Sequence, residues 1–289
     1  EIKKIISQTD QKFSAIIPVS LFGQPYDVEN INPVEKKKGI YIIEDAAQAL
    51  GSKLNGKYAG TFGDIGIFSF NLGKHLTCGE GGMIVTNDYE LSMRCRLIMN
   101  HAEAVMHGVM QDTVMMSTME KFKKLFGFNL RMTEMCAAIM RVQLRKMDML
   151  VESRVANVNY LVDKLKDIPC LGMPKIREGC THTFYVLPLK YKMIDNIHRD
   201  KFIQAVKAEL QPVHDRESEG VPIGCGYIQP IQSMPLFDRS LNETPECTRQ
   251  WQEELIILHR FFGPMAVKQD LNDVVNAFEK IYENRKELI

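Results

Sequence analysis

The chain has 289 residues, 45% hydrophobic and 25% charged, with 36 basic residues against 36 acidic ones. That balance excludes a nucleic-acid or anionic-membrane partner recognised by bulk charge and points to a small ligand. No apolar run approaches the length that crosses a bilayer, and seven cysteines without a CxxC spacing argue against a disulfide framework or a zinc site and for a reducing cytoplasm.

The chain opens on EIKKIISQTDQKFSAIIP, which has no apolar core of a signal peptide. It starts without Met in what reads as a helix running into a strand, so the expectation is a chain incomplete at its N-terminus. Four short apolar runs follow, bounded by turn residues: AIIPVS near Ala15, IYIIE at Ile40 to Glu44, IGIFSF at Ile65 to Phe70 and MIVT at Met83 to Thr86. Unbroken by polar alternation, they read as strands buried on both faces of a mostly parallel sheet. DVENINPVEKKKG between the first two reads as a crossover helix ending at Gly39. The pattern is α/β.

A methionine-rich stretch with Met106, Met110, Met115, Met116 and Met119 reads as core or interface filler. Thr133 then caps a helix, with Glu134 in its first turn where a negative charge favours the helix dipole. Leu144, Met147, Val151, Val155, Val158, Leu161 and Leu165 continue one apolar stripe to Pro169, so a single helix of roughly 50 Å is expected, long enough to link two domains. Beyond it come the strand-like TFYVLPLKY, a helix near Arg199 to Leu210, a Gly/Pro loop GVPIGCGYIQPIQSMP and a terminal amphipathic helix. Asp270 and Asp273 sit in the cap and first turn of that last helix, with Val274, Val275, Phe278 and Ile281 on one face. The expected organisation is a large domain over 1–132, a linking helix over 133–168 and a smaller α/β domain over 169–289.

Two residues stand out for chemistry. Asp45 follows a buried strand, and ligands of open α/β sheets sit at the carboxyl ends of strands; the alternative is that it caps a turn. Lys74 lies in SFNLGKHLTCGEGG, a run of small residues directly after another strand. If those two strands are near neighbours, a carboxylate and an amine emerge at one sheet edge. Pyridoxal phosphate requires that pair: a lysine for its aldehyde and an acid that keeps the pyridine nitrogen protonated. Gly79, Gly81 and Gly82 then turn the backbone after the lysine, with Glu80 read as a turn residue and a functional role as its alternative. His101, His107 and His182 show no metal-ligand spacing, so no metal is expected.

The stretch EDAAQALGSKLNGKYAGTFGDIGIFSFNLGKHLTCGEGGMIVTND resembles the core signature of the DegT/DnrJ/StrS family, PLP-dependent sugar aminotransferases of fold type I. The resemblance extends to IIPVSLFGQPYDV before it and to NHAEAV, FNLRMTEMCAAI, GYIQP and VVNAFEKIYEN after it. It implies a three-layer, aspartate aminotransferase-like large domain, incomplete at its N-terminus, plus a smaller α/β C-terminal domain. It makes Lys74 the Schiff-base lysine and Asp45 the partner of the pyridine nitrogen. Gln48 matches a residue beside the cofactor's ring hydroxyl, and Ser69 a phosphate-contacting hydroxyl. Asn129 matches an asparagine that reaches the phosphate of the neighbouring subunit, which implies a homodimer with active sites at its interface. Ordinary turn or capping roles are the alternatives for these last three. Tyr227, His182 and Tyr185 are the candidates for approaching the sugar. Family members carry an N-terminal segment that grips the cofactor phosphate, and nothing here matches it.

The implied reaction is two-stage transamination. An amino donor, L-glutamate by resemblance, displaces Lys74, whose freed amine moves the proton, and the amino group passes to a nucleotide-linked keto-sugar for surface polysaccharide biosynthesis. A cyclitol ketone is an alternative acceptor. A PLP-binding regulator or an inactive fragment is the non-enzyme alternative. The dehydratase members have a histidine in place of the lysine, and here Lys74 is present.

Overall fold

The computed structural model describes residues 12–102, 125–211, 223–227, 245–259 and 263–289, together with 2, 4, 6, 230 and 234–236. Met106, His107, Met110, Met115, Met116 and Met119 lie outside the described residues. The chain divides into two compact units, one of residues 1–148 with 178–182 and one of 149–177 with 183–289.

The first unit is built on a four-stranded sheet. Strands β1 (Ala15–Ile16), β2 (Tyr41–Asp45), β5 (Ile65–Ser69) and β6 (Gly82–Val85) lie in the order β1-β2-β5-β6. β1, β2 and β5 run parallel, with Ile16 opposite Ile42 and Asp45 opposite Ile67. The crossover from β1 to β2 is made by α1 (Val28–Lys38), and Gly39 ends it at φ 64°, as its position in the sequence predicts. A hairpin of β3 (Lys53–Leu54) and β4 (Lys57–Tyr58) fills the connection to β5.

β6 corrects the expectation of strands buried on both faces. It pairs antiparallel with β5, Ser69 opposite Gly82. Met83 and Ile84 are 43% and 51% exposed, and because successive residues point to opposite faces, both faces of β6 are open among the described residues. An apolar run reports a preference for burial, whereas direction and position in the sheet are set by distant partners.

After β6 come α2 (Tyr89–Met99), capped by Asp88 Oδ1 on the Leu91 N–H at 2.9 Å, and α3 (Glu134–Leu144). Thr133 does cap α3, its Oγ1 accepting from the Cys136 N–H at 3.2 Å. The single long helix expected from Thr133 to Pro169 is in fact two. α3 ends at Leu144, the Lys146 N–H bonds back three residues to the Gln143 carbonyl at 2.9 Å, and α4 (Met147–Leu165) starts afresh. That tightened turn contains neither proline nor glycine, so the apolar stripe runs across it without a sign of the break.

The second unit has an antiparallel sheet in the order β7-β8-β10-β9, from β7 (Leu171–Gly172), β8 (Leu187–Tyr191), β9 (Ile223–Cys225) and β10 (Leu255–Leu258). β9 lies in the stretch read as a Gly/Pro loop, pairing Ile223 with Leu258. Helices α5 (Arg199–Ala208), α6 (Pro245–Arg249) and α7 (Lys268–Glu283) complete it. The core joins Val158, Leu161 and Leu165 of α4 to Leu187, Leu189, Ile256 and Leu258 of the sheet and to Phe202, Val274 and Phe278 of the helices. Each such side chain contributes roughly 1.5–3 kcal/mol by leaving water. Asp270 is the third residue of α7 and not its cap; its Oδ2 accepts from the Val267 N–H at 2.9 Å and closes the first turn, while Asp273 lies beyond that turn.

Candidate functional site

The site begins with the pairing of β2 and β5. These strands are adjacent and parallel, so their carboxyl ends open on the same edge of the sheet. β2 delivers Asp45 there and β5 delivers Ser69, with Lys74 in the turn that follows. The condition on which the sequence reading depended, neighbouring strands, is met.

Asp45 is fixed on three sides. Its N–H donates to the Pro18 carbonyl at 3.0 Å, its own carbonyl accepts from the Ser20 N–H at 2.9 Å, and its Oδ1 accepts from the Ala47 N–H at 3.0 Å. The last bond is the turn-capping role weighed as the alternative for this residue, and it engages one carboxylate oxygen. Gln48, half-buried one turn on, accepts the Phe22 N–H on Oε1 at 2.9 Å. Phe22 has φ 61°, a left-handed backbone unusual for a bulky side chain, and the Gln48 bond helps to hold it.

Lys74 is half-buried in a loop closed at its base. The Phe70 N–H donates to the Gly81 carbonyl at 2.9 Å, and the Phe70 carbonyl accepts from the Cys78 N–H at 3.2 Å and from Thr77 Oγ1 at 3.1 Å. Within the loop, Asn71 does most of the ordering. Its carbonyl accepts the Lys74 N–H at 3.0 Å, its Oδ1 accepts the Gly73 N–H at 3.1 Å and its Nδ2 donates to Glu80 Oε1 at 2.8 Å. Glu80 thus serves the turn, as read. Gly79 takes φ 91°, a conformation that disfavours a side chain. Ser69 Oγ accepts from the Asn71 N–H at 3.4 Å.

Sequence reasoning missed Asn71, and it missed Glu44. Ile42 and Glu44 share the inward face of β2, and Glu44 is fully buried. Its Oε2 accepts the Phe62 N–H at 3.1 Å and its Oε1 the Ser20 hydroxyl at 3.5 Å, while Ser20 Oγ accepts the Tyr26 N–H at 3.1 Å. Burial raises the carboxyl pKa above its ordinary value, opposed by backbone bonds from Gly60, Phe62 and Gly63. Glu44 therefore ties the segment before β2 and the loop before β5 to the strand that presents Asp45. The alternation of β2 was the signal that could have found it: a charged residue two places after a buried isoleucine needs partners.

The other candidates are held by other elements of the chain. Asn129 is exposed and bridges to Asn100, and Arg131 donates to Asn100 Oδ1. His182 is buried in the first unit, and burial pulls its pKa down to about 4, which keeps the imidazole neutral. Tyr185 and Tyr227 belong to the second unit, where the Tyr227 ring stacks on His259 with centroids 6.2 Å apart.

The donor set at the sheet edge fits pyridoxal phosphate. Its aldehyde calls for an amine, its ring nitrogen for a carboxylate and its phosphate for hydroxyl donors, and Lys74, Asp45 and Ser69 provide one of each. No helix among the described residues is long and apolar enough to cross a membrane.

Known proteins resemble this chain along most of its length. The signature of the DegT/DnrJ/EryC1/StrS aminotransferase family matches residues 1–279. GDP-perosamine synthase of Escherichia coli O157:H7 is 38% identical over 252 residues, which cover 84% of this chain and 60% of that protein. A pleiotropic regulatory protein of Geobacillus stearothermophilus is 35% identical over 235 residues, 78% of this chain and 54% of that one. Among solved structures, an aminotransferase from Psychrobacter cryohalolentis superposes with a TM-score of 0.82 at 26% identity, covering 98% of this chain and 72% of its own. The chain thus spans little more than half the length of these two curated relatives.

Proposed function

This chain belongs to the DegT/DnrJ/EryC1/StrS aminotransferase family, and from that premise we propose that it takes part in pyridoxal phosphate-dependent transamination of a nucleotide-linked keto-sugar, with L-glutamate as the amino donor. The observation that carries the reading is the delivery of Asp45 and Lys74 to one edge of the sheet by the adjacent parallel strands β2 and β5. The relative that makes GDP-perosamine supports a nucleotide-linked sugar as the acceptor.

When bound, pyridoxal phosphate supplies an aldehyde that receives an amino group and a ring that accepts electrons. Lys74 would hold the aldehyde through Nζ and, as a free amine, would move the proton at the donor's α-carbon. Asp45 keeps the ring nitrogen protonated. Ser69 donates to the phosphate, and Gln48 flanks the ring. Asn129 serves the site of a second copy in a homodimer. The exposed Phe126, Phe128 and Leu130 around it, with Met135, Ile139 and Val142 on α3, supply apolar surface for that contact. The first unit is the cofactor-binding domain and the second the smaller C-terminal domain; Tyr227, His182 and Tyr185 remain candidates for the sugar by family resemblance alone.

One specific observation favours a second reading. The Geobacillus relative is described as a regulatory protein, so binding of the cofactor without turnover is the alternative. Titration of the full chain with pyridoxal phosphate tests both. A visible absorbance band that hydroxylamine removes, with 2-oxoglutarate formed from L-glutamate, is the expected result. A band without 2-oxoglutarate selects the regulator, and no band at saturating cofactor overturns both.

A further inference from the structure

The hydrogen bonds of Asn71 end on four different residues of the Lys74 loop. Its N–H donates to Ser69 Oγ at 3.4 Å and its carbonyl accepts the Lys74 N–H at 3.0 Å. Its Oδ1 accepts the Gly73 N–H at 3.1 Å, and its Nδ2 donates to Glu80 Oε1 at 2.8 Å. The two groups assigned to the cofactor's phosphate and aldehyde, Ser69 and Lys74, are thus bonded to one residue. Glu80 stands on the returning arm of the loop, between Gly79 at φ 91° and Gly81, whose carbonyl accepts the Phe70 N–H at 2.9 Å.

We propose that Asn71, partnered by Glu80, is a positioning residue for the cofactor: it sets the Ser69 hydroxyl and the Lys74 amine in a fixed relation before the cofactor arrives. The inference rests on the transamination reading for the identity of that cofactor, and it adds to the site a residue that acts through its two neighbours.

A primary amide suits this task because it carries an acceptor and a donor on one planar group. The acceptor, Oδ1, folds the backbone at Gly73, and the Lys74 N–H closes the same turn on the Asn71 carbonyl. The donor, Nδ2, takes the Glu80 carboxylate as its partner. Aspartate in this position would keep the first bond and lose the second, setting one acceptor against another. At Ser69 the incoming bond uses an oxygen lone pair, so the hydroxyl hydrogen is directed elsewhere, as a phosphate donor requires.

Magnitudes separate positioning from folding. The bond from Asn71 to Glu80 is exposed, where it competes with water and adds little to the stability of the chain. Its effect falls on the freedom of the loop. Phe70 meets the returning arm through its backbone and Asn71 meets it through its side chain, so the turn that carries Lys74 is anchored at successive residues. Groups already in place lose less freedom when a ligand binds, and affinity rises accordingly.

Titration of the full chain with pyridoxal phosphate, followed by the visible band, tests the pair alongside hydrogen exchange and urea unfolding of the cofactor-free chain. Asn71→Asp should raise the half-saturating cofactor concentration about tenfold and speed exchange over residues 71–77. The double variant Asn71→Asp with Glu80→Gln returns a donor to the acceptor and should bind within about threefold of the wild type. No band in the wild type overturns the transamination reading and this inference with it. A wild-type band with Asn71→Asp binding as tightly overturns the inference alone. A double variant no better than Asn71→Asp overturns the role of Glu80. A urea midpoint lowered by Asn71→Asp as far as by Phe278→Ala would make the effect one of folding and overturn the positioning role. Where Asn71→Asp fails to fold, Asn71→Ser takes its place, since serine keeps an acceptor for the Gly73 N–H and is too short for Glu80; its binding should weaken likewise, and wild-type affinity overturns the inference.

Discussion

The sheet of the first unit and the sheet of the second have four strands each, and their interiors differ in kind. Around β8 and β10 the buried side chains are Leu187, Leu189, Tyr191, Ile256 and Leu258, closed over by Phe202 and Phe278. Around β2 and β5 the buried set includes Ser20, Glu44 and Ser52, with Glu44 in a ring of backbone N–H groups. An apolar interior maximises the area removed from water, whereas a buried carboxylate must be matched bond for bond and fixes one arrangement of the segments around it. The second unit therefore concentrates stability, and the first holds polar groups in place at a strand edge.

Two substitutions should separate these roles by the widest margin. Lys74→Ala removes a half-buried amine from a loop whose ties run through Asn71, Phe70 and Glu80. It should abolish the visible cofactor band and lower amino transfer by more than about a thousandfold, while lowering the urea midpoint by less than Phe278→Ala does. Phe278→Ala should do the reverse. The ring is fully buried beside Phe202, centroids 6.2 Å apart, and its loss should cost about 3–5 kcal/mol in urea unfolding followed by circular dichroism. If Lys74→Ala destabilises the chain as much as Phe278→Ala does, the contrast between the units is wrong.

A smaller effect comes from pH. His182 is held neutral by burial, its pKa about 4 in the fold against 6.5 for the free side chain. The unfolded chain takes up the proton first as pH falls, so stability is fully present above pH 6.5 and is lost on the way down to about 4. The loss is on the order of 2–3 kcal/mol over that window. Urea midpoints between pH 7.5 and 4.5 should fall accordingly, and His182→Gln should flatten the slope. An equal slope in the variant would assign the acid sensitivity elsewhere, with Glu44 no candidate, since a carboxyl whose pKa is raised in the fold favours the folded state as pH falls.

What the sequence disclosed follows the range of the interactions involved. Thr133, Gly39 and Asp270 were legible because a cap or a left-handed stop acts within one turn of its own residue. The strands around Asp45 and Lys74 were legible as apolar runs, and family motifs put the two residues forward for the proposed site. The direction of β6, the β9 pairing inside a Gly/Pro stretch and the role of LIIL in β10 were not, because each depends on a partner far along the chain. The break at 145–146 left no trace because ordinary helix formers occupy it.

The smallest predicted effect tests where the contrast between the units should vanish. A helix cap satisfies an orphan N–H at a helix end, and the solvent there is the same whatever the core contains. Thr133 Oγ1 accepts the Cys136 N–H in the first unit, and Asp270 Oδ2 accepts the Val267 N–H in the second. Thr133→Ala and Asp270→Ala should therefore each cost about 1 kcal/mol, with Thr133→Ser restoring most of the first loss. Both are read from urea unfolding at neutral pH with the thiols reduced. Equal losses confine the difference between the units to their interiors. A Thr133→Ala cost several times that of Asp270→Ala would show that the start of α3 supports the Lys74 loop through Met132, whose Sδ lies 4.0 Å from Cys78 Sγ.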